Sequence, residues 1–178
     1  MCSSDLIVQH QLRRATAGSL APGVAWTPVV PVVEDVLGAL RKVYRERNLA
    51  LEIVPTAGDA AAARRELTSP LDRGDLLELV GNLLDNAIRH SHRGGTVWVV
   101  VSEVSQRIRV SIADEGPGIA LQDRERMFER FWSGADRGGQ SGLGLAISRA
   151  IARRHGGELQ LGENRPGRCE LLVLLPSR

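Results

Sequence analysis

The run Glu78 to Ser91, ELVGNLLDNAIRHS, constrains this chain more than any other stretch. At about 100° per residue it is one amphipathic helix, with Leu76, Leu79, Val80, Leu83, Ala87 and Ile88 on a single face. Glu78, Asn82, Asp85, Asn86 and Arg89 fall in a polar stripe roughly 100° wide. The composition of that stripe is unusual. A solvated helix face normally carries Lys and Glu, because the Asn amide competes for backbone hydrogen bonds and disfavours the helix. Two Asn at i and i+4, flanked by an acid and a base, suit a ligand with cationic and anionic parts. A solvent face with two indifferent amides is the competing reading, and the helix alone does not separate them.

The 178 residues fit one domain with a good-sized core, and 43% hydrophobic with 25% charged residues is ordinary for a globular chain. Net charge is +2, but the basic residues are scattered in pairs: Arg13-Arg14, Arg64-Arg65 and Arg153-Arg154. With aromatics at 3% and no basic stripe interleaved with them, nucleic-acid binding has little support. Cys2 and Cys169 are too few for a disulfide framework, which favours a reducing compartment. The longest apolar runs, such as Thr96–Val101, are strand-length and far short of a membrane span. Met1–Ala15 lacks the basic start and apolar block of a signal peptide, so the expectation is a soluble intracellular piece.

Along the chain, residues 4–15 predict a short helix, too small to bury itself, which reads as the stub of a longer helix or as a frayed terminus. Ala21–Val30 suggests extended chain and an edge strand ending at Val30. Pro31 suits a first helical position, and Val32, Val33, Val36, Leu37, Leu40, Val43 and Tyr44 recur at helical spacing to about Arg47. Leu49–Val54 predicts a strand; Gly58–Asp72 predicts a loop with a brief strand near Arg65–Leu67. After the central helix, a turn at His92–Gly95 leads into β-rich runs from Thr96 and Arg107. Ser105-Gln106 joins these runs as an antiparallel hairpin. Asp123–Phe131 predicts a short helix. Ser133–Ser141 has no apolar anchor and predicts a mobile loop. Gly142–His155 predicts a second long helix with Leu143, Ile147, Ala150 and Ile151 inward, ended by Gly156-Gly157. Two strands, Glu158–Leu161 and Cys169–Leu175, follow around a turn at Asn164–Gly167. This order argues for an α+β two-layer sandwich, with a mixed β-sheet of about five strands packed on three helices.

Three further motifs carry chemistry. DEGPGI, Asp114 to Ile119, follows a predicted strand. Gly116 and Gly118 remove Cβ atoms that would hold a planar ligand off the backbone, and Asp114 is placed to accept from an exocyclic amine such as adenine's. An ordinary turn is the alternative. SGLGLAIS, Ser141 to Ser148, puts glycines where a loop enters a helix, and the N–H groups there bind phosphate oxygens or simply permit close packing. It is not a Walker loop, since no Lys-Ser or Lys-Thr follows. MFERFW, Met127 to Trp132, sets Phe128, Phe131 and Trp132 beside the mobile loop, either as core packing or over a base ring.

In this order and spacing the motifs resemble the N, G1, F and G2 boxes of the ATP-binding catalytic domain of bacterial sensor histidine kinases, whose Bergerat fold is shared with gyrase, the Hsp90 chaperone and MutL. The resemblance runs from about Val29 to Leu175. ALRKVYRERNL, NLLDNAIRH and GPGI look closest to the PhoQ subgroup. The resemblance implies ATP and Mg²⁺ as cofactors. Asn86 matches the metal ligand and Asn82 the second amide facing the nucleotide. Arg89 stands where a phosphate-contacting Lys is common, and His90 where an aromatic is usual. Asp114 matches the adenine acceptor, with Gly116, Gly118 and Ile119 shaping the base pocket. Gly142, Leu143, Gly144 and Leu145 match the G2 box. Ser133–Ser141 becomes the ATP lid, from which Arg130, Arg137 or Gln140 reach the phosphates. In the G2 box Gln140 and Ser141 replace the usual first glycine and its neighbour, and Gly138-Gly139 lie close enough to compensate.

No His here matches a phosphoacceptor, because His10 is followed by Gln11, Leu12 and Arg13 rather than an acid and a Pro; His90, His92 and His155 fail too. The resemblance therefore implies a domain over 19–178 that donates the γ-phosphate to a His on a separate dimerisation domain, with 1–18 the end of that domain's helix and a linker. A response regulator lies downstream. The fragment alone is expected to be a cytoplasmic monomer, and the full-length protein a homodimer anchored in the inner membrane. Two other readings are an ATPase or anti-sigma-like serine kinase of the same fold, and a nucleotide-binding module without catalysis. Such hydrolytic relatives place Glu where Asn82 stands, and an amide cannot accept the proton.

Overall fold

The structure, a computed structural model, describes residues 26–54, 67–132 and 142–177. In chain order the elements are β1 (Thr27–Pro28), α1 (Val29–Val43), β2 (Ala50–Ile53), β3 (Thr68–Ser69), α2 (Arg73–His90), β4 (Thr96–Val104), β5 (Arg107–Asp114), α3 (Gly144–Arg154), β6 (Glu158–Arg165) and β7 (Arg168–Pro176). Five strands form one sheet in the order β2-β4-β5-β7-β6, and the three helices pack on it. Among the described strands of this sheet only β2 and β4 run parallel, since α2 lies in the connection between them; β4-β5 and β6-β7 are antiparallel hairpins, and β5 and β7 pair antiparallel across the connection that holds α3 and β6. This is the expected two-layer α+β sandwich with a mixed sheet.

The core follows from alternation on the strands and the 3.6-residue period on the helices. Ile108, Val110 and Ile112 of β5 and Leu171, Val173 and Leu175 of β7 point to the helices and are buried. Helix α2 carries all six expected apolar residues inward and also buries Leu77, Gly81 and Leu84. Its apolar arc exceeds one face because α1 and α3 flank it while the sheet lies beneath. Asp72 caps the helix, accepting from the Asp75 N–H at 2.9 Å.

Several boundaries differ from expectation for identifiable reasons. Helix α1 starts at Val29, so Pro31 occupies the third helical position rather than the first; its missing N–H is still among those with no intrahelical partner. Among the described residues the edge strand is Thr27–Pro28, and it pairs with Thr68–Ser69 rather than joining the main sheet. The brief strand described is Thr68–Ser69, next to the expected Arg65–Leu67, of which Arg65 and Glu66 lie outside the described residues. Helix α1 stops at Val43, and a 3₁₀ turn at Arg45–Arg47 with left-handed Asn48 (φ 53°) redirects the chain into β2. In place of the helix expected over Asp123–Phe131 the chain makes two 3₁₀ turns, Leu121–Asp123 and Arg126–Phe128. Helix α3 begins at Gly144 and faces inward through Ser148, Ile151 and Ala152, leaving Ala150 exposed. The 4–15 stub, residues 1–18 as a unit, and the loop 133–141 with Arg137 and Gln140 lie outside the described residues.

Candidate functional site

The ends of β5, α2 and α3 meet on one side of the sandwich. Asp114 is the last residue of β5 and 2% exposed. One carboxylate oxygen accepts the Gly116 N–H at 2.7 Å, and the other has no partner among the described residues. Burial pushes this carboxyl up to about 6, only partly offset by the Gly116 hydrogen bond. A buried carboxylate with an unused oxygen is poised to accept a donor that restores its ionised form.

The two glycines after Asp114 serve a purpose the sequence does not reveal. A Cβ on Gly116 would stand 2.5 Å from Asp114 Oδ1 and 2.9 Å from the His90 carbonyl. Gly118 is left-handed (φ 79°), and its Cβ would meet Asn164 Oδ1 at 2.9 Å. The glycines let the loop pack on its own protein as much as on a ligand. Ile119, half-buried, donates its N–H to Asn164 Oδ1 and accepts from Asn164 Nδ2, both at 2.8 Å. Sequence reasoning missed Asn164. In the sequence it reads as the first residue of a turn, where Asn is ordinary, whereas the structure places it near the end of β6.

Across the cleft, Asn82 on α2 faces the start of α3. A Cβ on Gly144 would lie 3.6 Å from Asn82 Cβ, in ordinary contact. Asn82 Nδ2 is buried without a hydrogen-bond partner among the described residues. Leu143, the N-cap of α3, offers no side-chain acceptor, and the first turn of α3 has no acid. Uncapped amides, the positive end of a helix dipole and an orphaned amide donor therefore converge on one spot. The loop 133–141 leaves and returns here. Phe131 N–H bonds Gly142 O at 2.9 Å, and Gly142 is left-handed (φ 63°) with no room for a Cβ, which would stand 2.6 Å from Phe131 C. Arg130 is exposed beside this junction, and Leu143 and Leu145 are half-buried.

Asn86, half-buried, makes no side-chain hydrogen bond among the described residues. Arg89 is held by Asp85 at 2.7 Å and lies over the Tyr44 ring at 6.0 Å, while the Tyr44 hydroxyl donates to Asp85 at 2.5 Å. Asp85, which has no role legible in the sequence, thus orients Arg89. Glu78 is exposed, and His90 contributes its backbone carbonyl at the base of the glycine loop while its side chain is exposed.

Whether these residues suit a divalent cation is decided by the donor set. Among the described residues the one His/Cys/Asp/Glu cluster close enough to hold an ion is Asp72, Asp75 and His155, at the far end of α2. There Asp75 is already bonded to Arg154 and His155. Burial pushes its carboxyl up, but those hydrogen bonds outweigh burial and leave it below its ordinary value. On this face of α2 Asp85 is occupied, whereas the amide oxygen of Asn86 makes no hydrogen bond among the described residues. One neutral protein oxygen completed by ligand phosphates fits Mg²⁺, which keeps few protein ligands.

Known proteins resemble this chain in sequence and fold. Residues 71–178 match the family model of histidine kinase-, DNA gyrase B-, and HSP90-like ATPases. The signal transduction histidine-protein kinase BaeS of Escherichia coli K12 is 30% identical over 171 residues, 94% of this chain and 35% of that protein. The sensor protein PhoQ of the same strain is 29% identical over 149 residues, 83% of this chain and 28% of that protein. The chain thus spans about a third of the length of these relatives. The solved mycobacterial sensor histidine kinase MprB superposes with a TM-score of 0.73 at 29% identity, covering 86% of this chain and 97% of that one.

Proposed function

Because the chain belongs to the family of histidine kinase-, DNA gyrase B-, and HSP90-like ATPases, we propose that its cleft binds Mg-ATP and presents the γ-phosphate to a His on a separate dimerisation domain. Histidine kinases among its relatives support the reaction class. What supports the site is that Asp114, with an unused carboxylate oxygen, and the unsatisfied donors at Asn82 and the start of α3 are both ranged along α2, where Gly116 meets His90 and Gly144 meets Asn82. One end suits the amino group of adenine and the other suits phosphate oxygens.

In this reading Asp114 accepts from the adenine amine, while Gly116, Gly118 and Ile119 form the wall for the ring. Backbone N–H groups from Gly142 to Leu145 and Asn82 Nδ2 hold the phosphates, with Arg89, Arg130 and Gln140 adding positive charge or donors around them. His90 closes the rim. Asn86 Oδ1 would hold Mg²⁺, which when bound neutralises phosphate charge. Phosphoryl transfer needs alignment and charge neutralisation more than covalent chemistry, so a cleft without its own nucleophile suffices. Asn82 also distinguishes the kinase from a hydrolase: an amide takes no proton from water, and Glu78, one turn earlier, is exposed.

The partners proposed are the dimerisation domain of the same kinase, within a homodimer, and a response regulator beyond it. The whole protein is proposed to be anchored in the inner membrane with this domain on the cytoplasmic side. No helix among the described residues is long and apolar enough to cross a membrane.

Calorimetry tests the site. The chain should bind Mg-ATP in the micromolar range, and Asp114→Asn, which turns an acceptor into a donor facing the adenine amine, should weaken it about a hundredfold. Undiminished binding by that variant would overturn the assignment. With labelled ATP the chain alone should not label itself, but should label an added dimerisation domain on histidine.

A further inference from the structure

We propose that Asn164 is a positioning residue for recognition of the nucleotide base: it fixes Gly118 and Ile119 so that this wall of the cleft has the shape of adenine. The inference rests on the nucleotide reading of the cleft and extends it to a residue on a different hairpin, 45 positions from the one it holds.

Strands β6 and β7 pair regularly until Leu161, where the register shifts before resuming at Asn164 opposite Cys169. A bulge of this kind re-aims a side chain at the rim of a sheet. Here the Asn164 amide is turned onto the backbone of Ile119, donating to its carbonyl and accepting its N–H at 2.8 Å each. One side chain thus supplies both hydrogen bonds that a neighbouring strand would give to a residue outside any strand. The same turn grips the loop at its other end, where Gly167 N–H bonds Gly116 O at 2.9 Å. Between the two ties, Gly118 lies against Asn164 Oδ1 and the Arg165 carbonyl. The segment that would face the ring is therefore held at Gly116 and Ile119 from the β6–β7 hairpin.

Only an amide fits this position. Aspartate would keep the acceptor for Ile119 N–H but set a carboxylate oxygen against the Ile119 carbonyl; alanine would free both groups. A side chain that merely stabilised the hairpin would affect folding alone. A positioning role alters binding of the base and spares binding of the phosphates.

The test uses the full chain as wild type, Asn164→Asp and Asn164→Ala, titrated with Mg-ATP and with Mg-tripolyphosphate, which lacks the base. ATP affinity should fall about tenfold in both variants, the equivalent of one lost hydrogen bond, with tripolyphosphate affinity within about twofold of wild type. ATP binding unchanged in folded variants, or equal weakening of both ligands, would overturn the proposal. Should neither variant fold, hydrogen exchange of the Ile119 amide in the ATP-free wild type decides: protection upholds the clamp and exchange at the rate of an unprotected amide sinks it. Loss of the nucleotide reading looks different, since Asp114→Asn would then leave ATP binding intact.

Discussion

The two ends of the cleft are built on opposite principles. At the β5 end nearly every polar group is paired before any ligand arrives: Asp114 with Gly116, Gly116 with Gly167, and Ile119 with Asn164. At the α3 end donors are left over among the described residues: the amides of a helix without a side-chain cap and the buried Nδ2 of Asn82. A flat apolar ring is recognised by shape, and shape requires a wall that does not yield. Phosphate oxygens are recognised by hydrogen bonds, and donors already satisfied internally would have nothing to offer. Apart from the one free oxygen of Asp114, the first end is preorganised by being complete, and the second by being incomplete.

Acidity should separate the two ends most strongly. Burial places the Asp114 carboxyl at about 6, so below that pH it is protonated in the free protein and loses its role as acceptor. ATP affinity should fall about tenfold for each pH unit below about 6, with Mg-tripolyphosphate correcting for titration of the phosphates themselves. The stability effect has the opposite sign. A carboxyl raised in the fold contributes most below its unfolded value of 3.8, and the contribution is lost as pH rises through about 6. Ionised Asp114 therefore costs the ligand-free fold about 3 kcal/mol at pH 7. Asp75, held low by Arg154 and His155, contributes the other way: its stabilisation is present above the ordinary carboxylate range and fades as pH falls through its lowered value. Thermal melts of the ligand-free chain should rise between pH 7 and 5 and fall again below about 4. A flat ATP affinity across pH 5–7 after correction would break the contrast.

Local periodicity made most of this fold legible. The six inward residues of α2 and the Ser105-Gln106 hairpin needed only neighbours in sequence, and both residues of that turn are left-handed (φ 51° and 59°). The pairs that finish the site are long-range. Tyr44 reaches Asp85 across 41 positions, and Asn164 reaches Ile119 across 45. Neither contact leaves a trace in hydrophobic periodicity, because each depends on how two finished elements meet. Even at Gly116 and Gly118 the sequence signal was right and its reason incomplete. The missing Cβ atoms make room for His90, Asn164 and Arg165.

Incompleteness at the phosphate end should have a measurable stability cost. Leaving Asn82 Nδ2 buried and unpaired costs the free protein on the order of 1 kcal/mol. Asn82→Leu, similar in size and without the orphan donor, should raise the melting temperature of the ligand-free chain while weakening Mg-ATP about tenfold. Adenosine, which meets only the β5 end, should bind both proteins alike. A variant less stable than wild type would mean that Asn82 is satisfied after all, and the contrast between the ends would lose its basis.

The smallest expected effect probes what joins the two ends. Arg89 sits one turn beyond Asp85 and is held by it, and Asp85 is in turn held by Tyr44 from α1. Tyr44→Phe removes the hydroxyl that donates to Asp85 but keeps the ring beneath Arg89. The carboxylate then has one donor fewer and grips the guanidinium more freely, so Arg89 is less available to phosphate. Mg-ATP affinity should drop about twofold, with the loss growing at low salt and vanishing for adenosine. An equal loss for adenosine would place the effect at the base and merge two ends that the hydrogen bonding keeps apart.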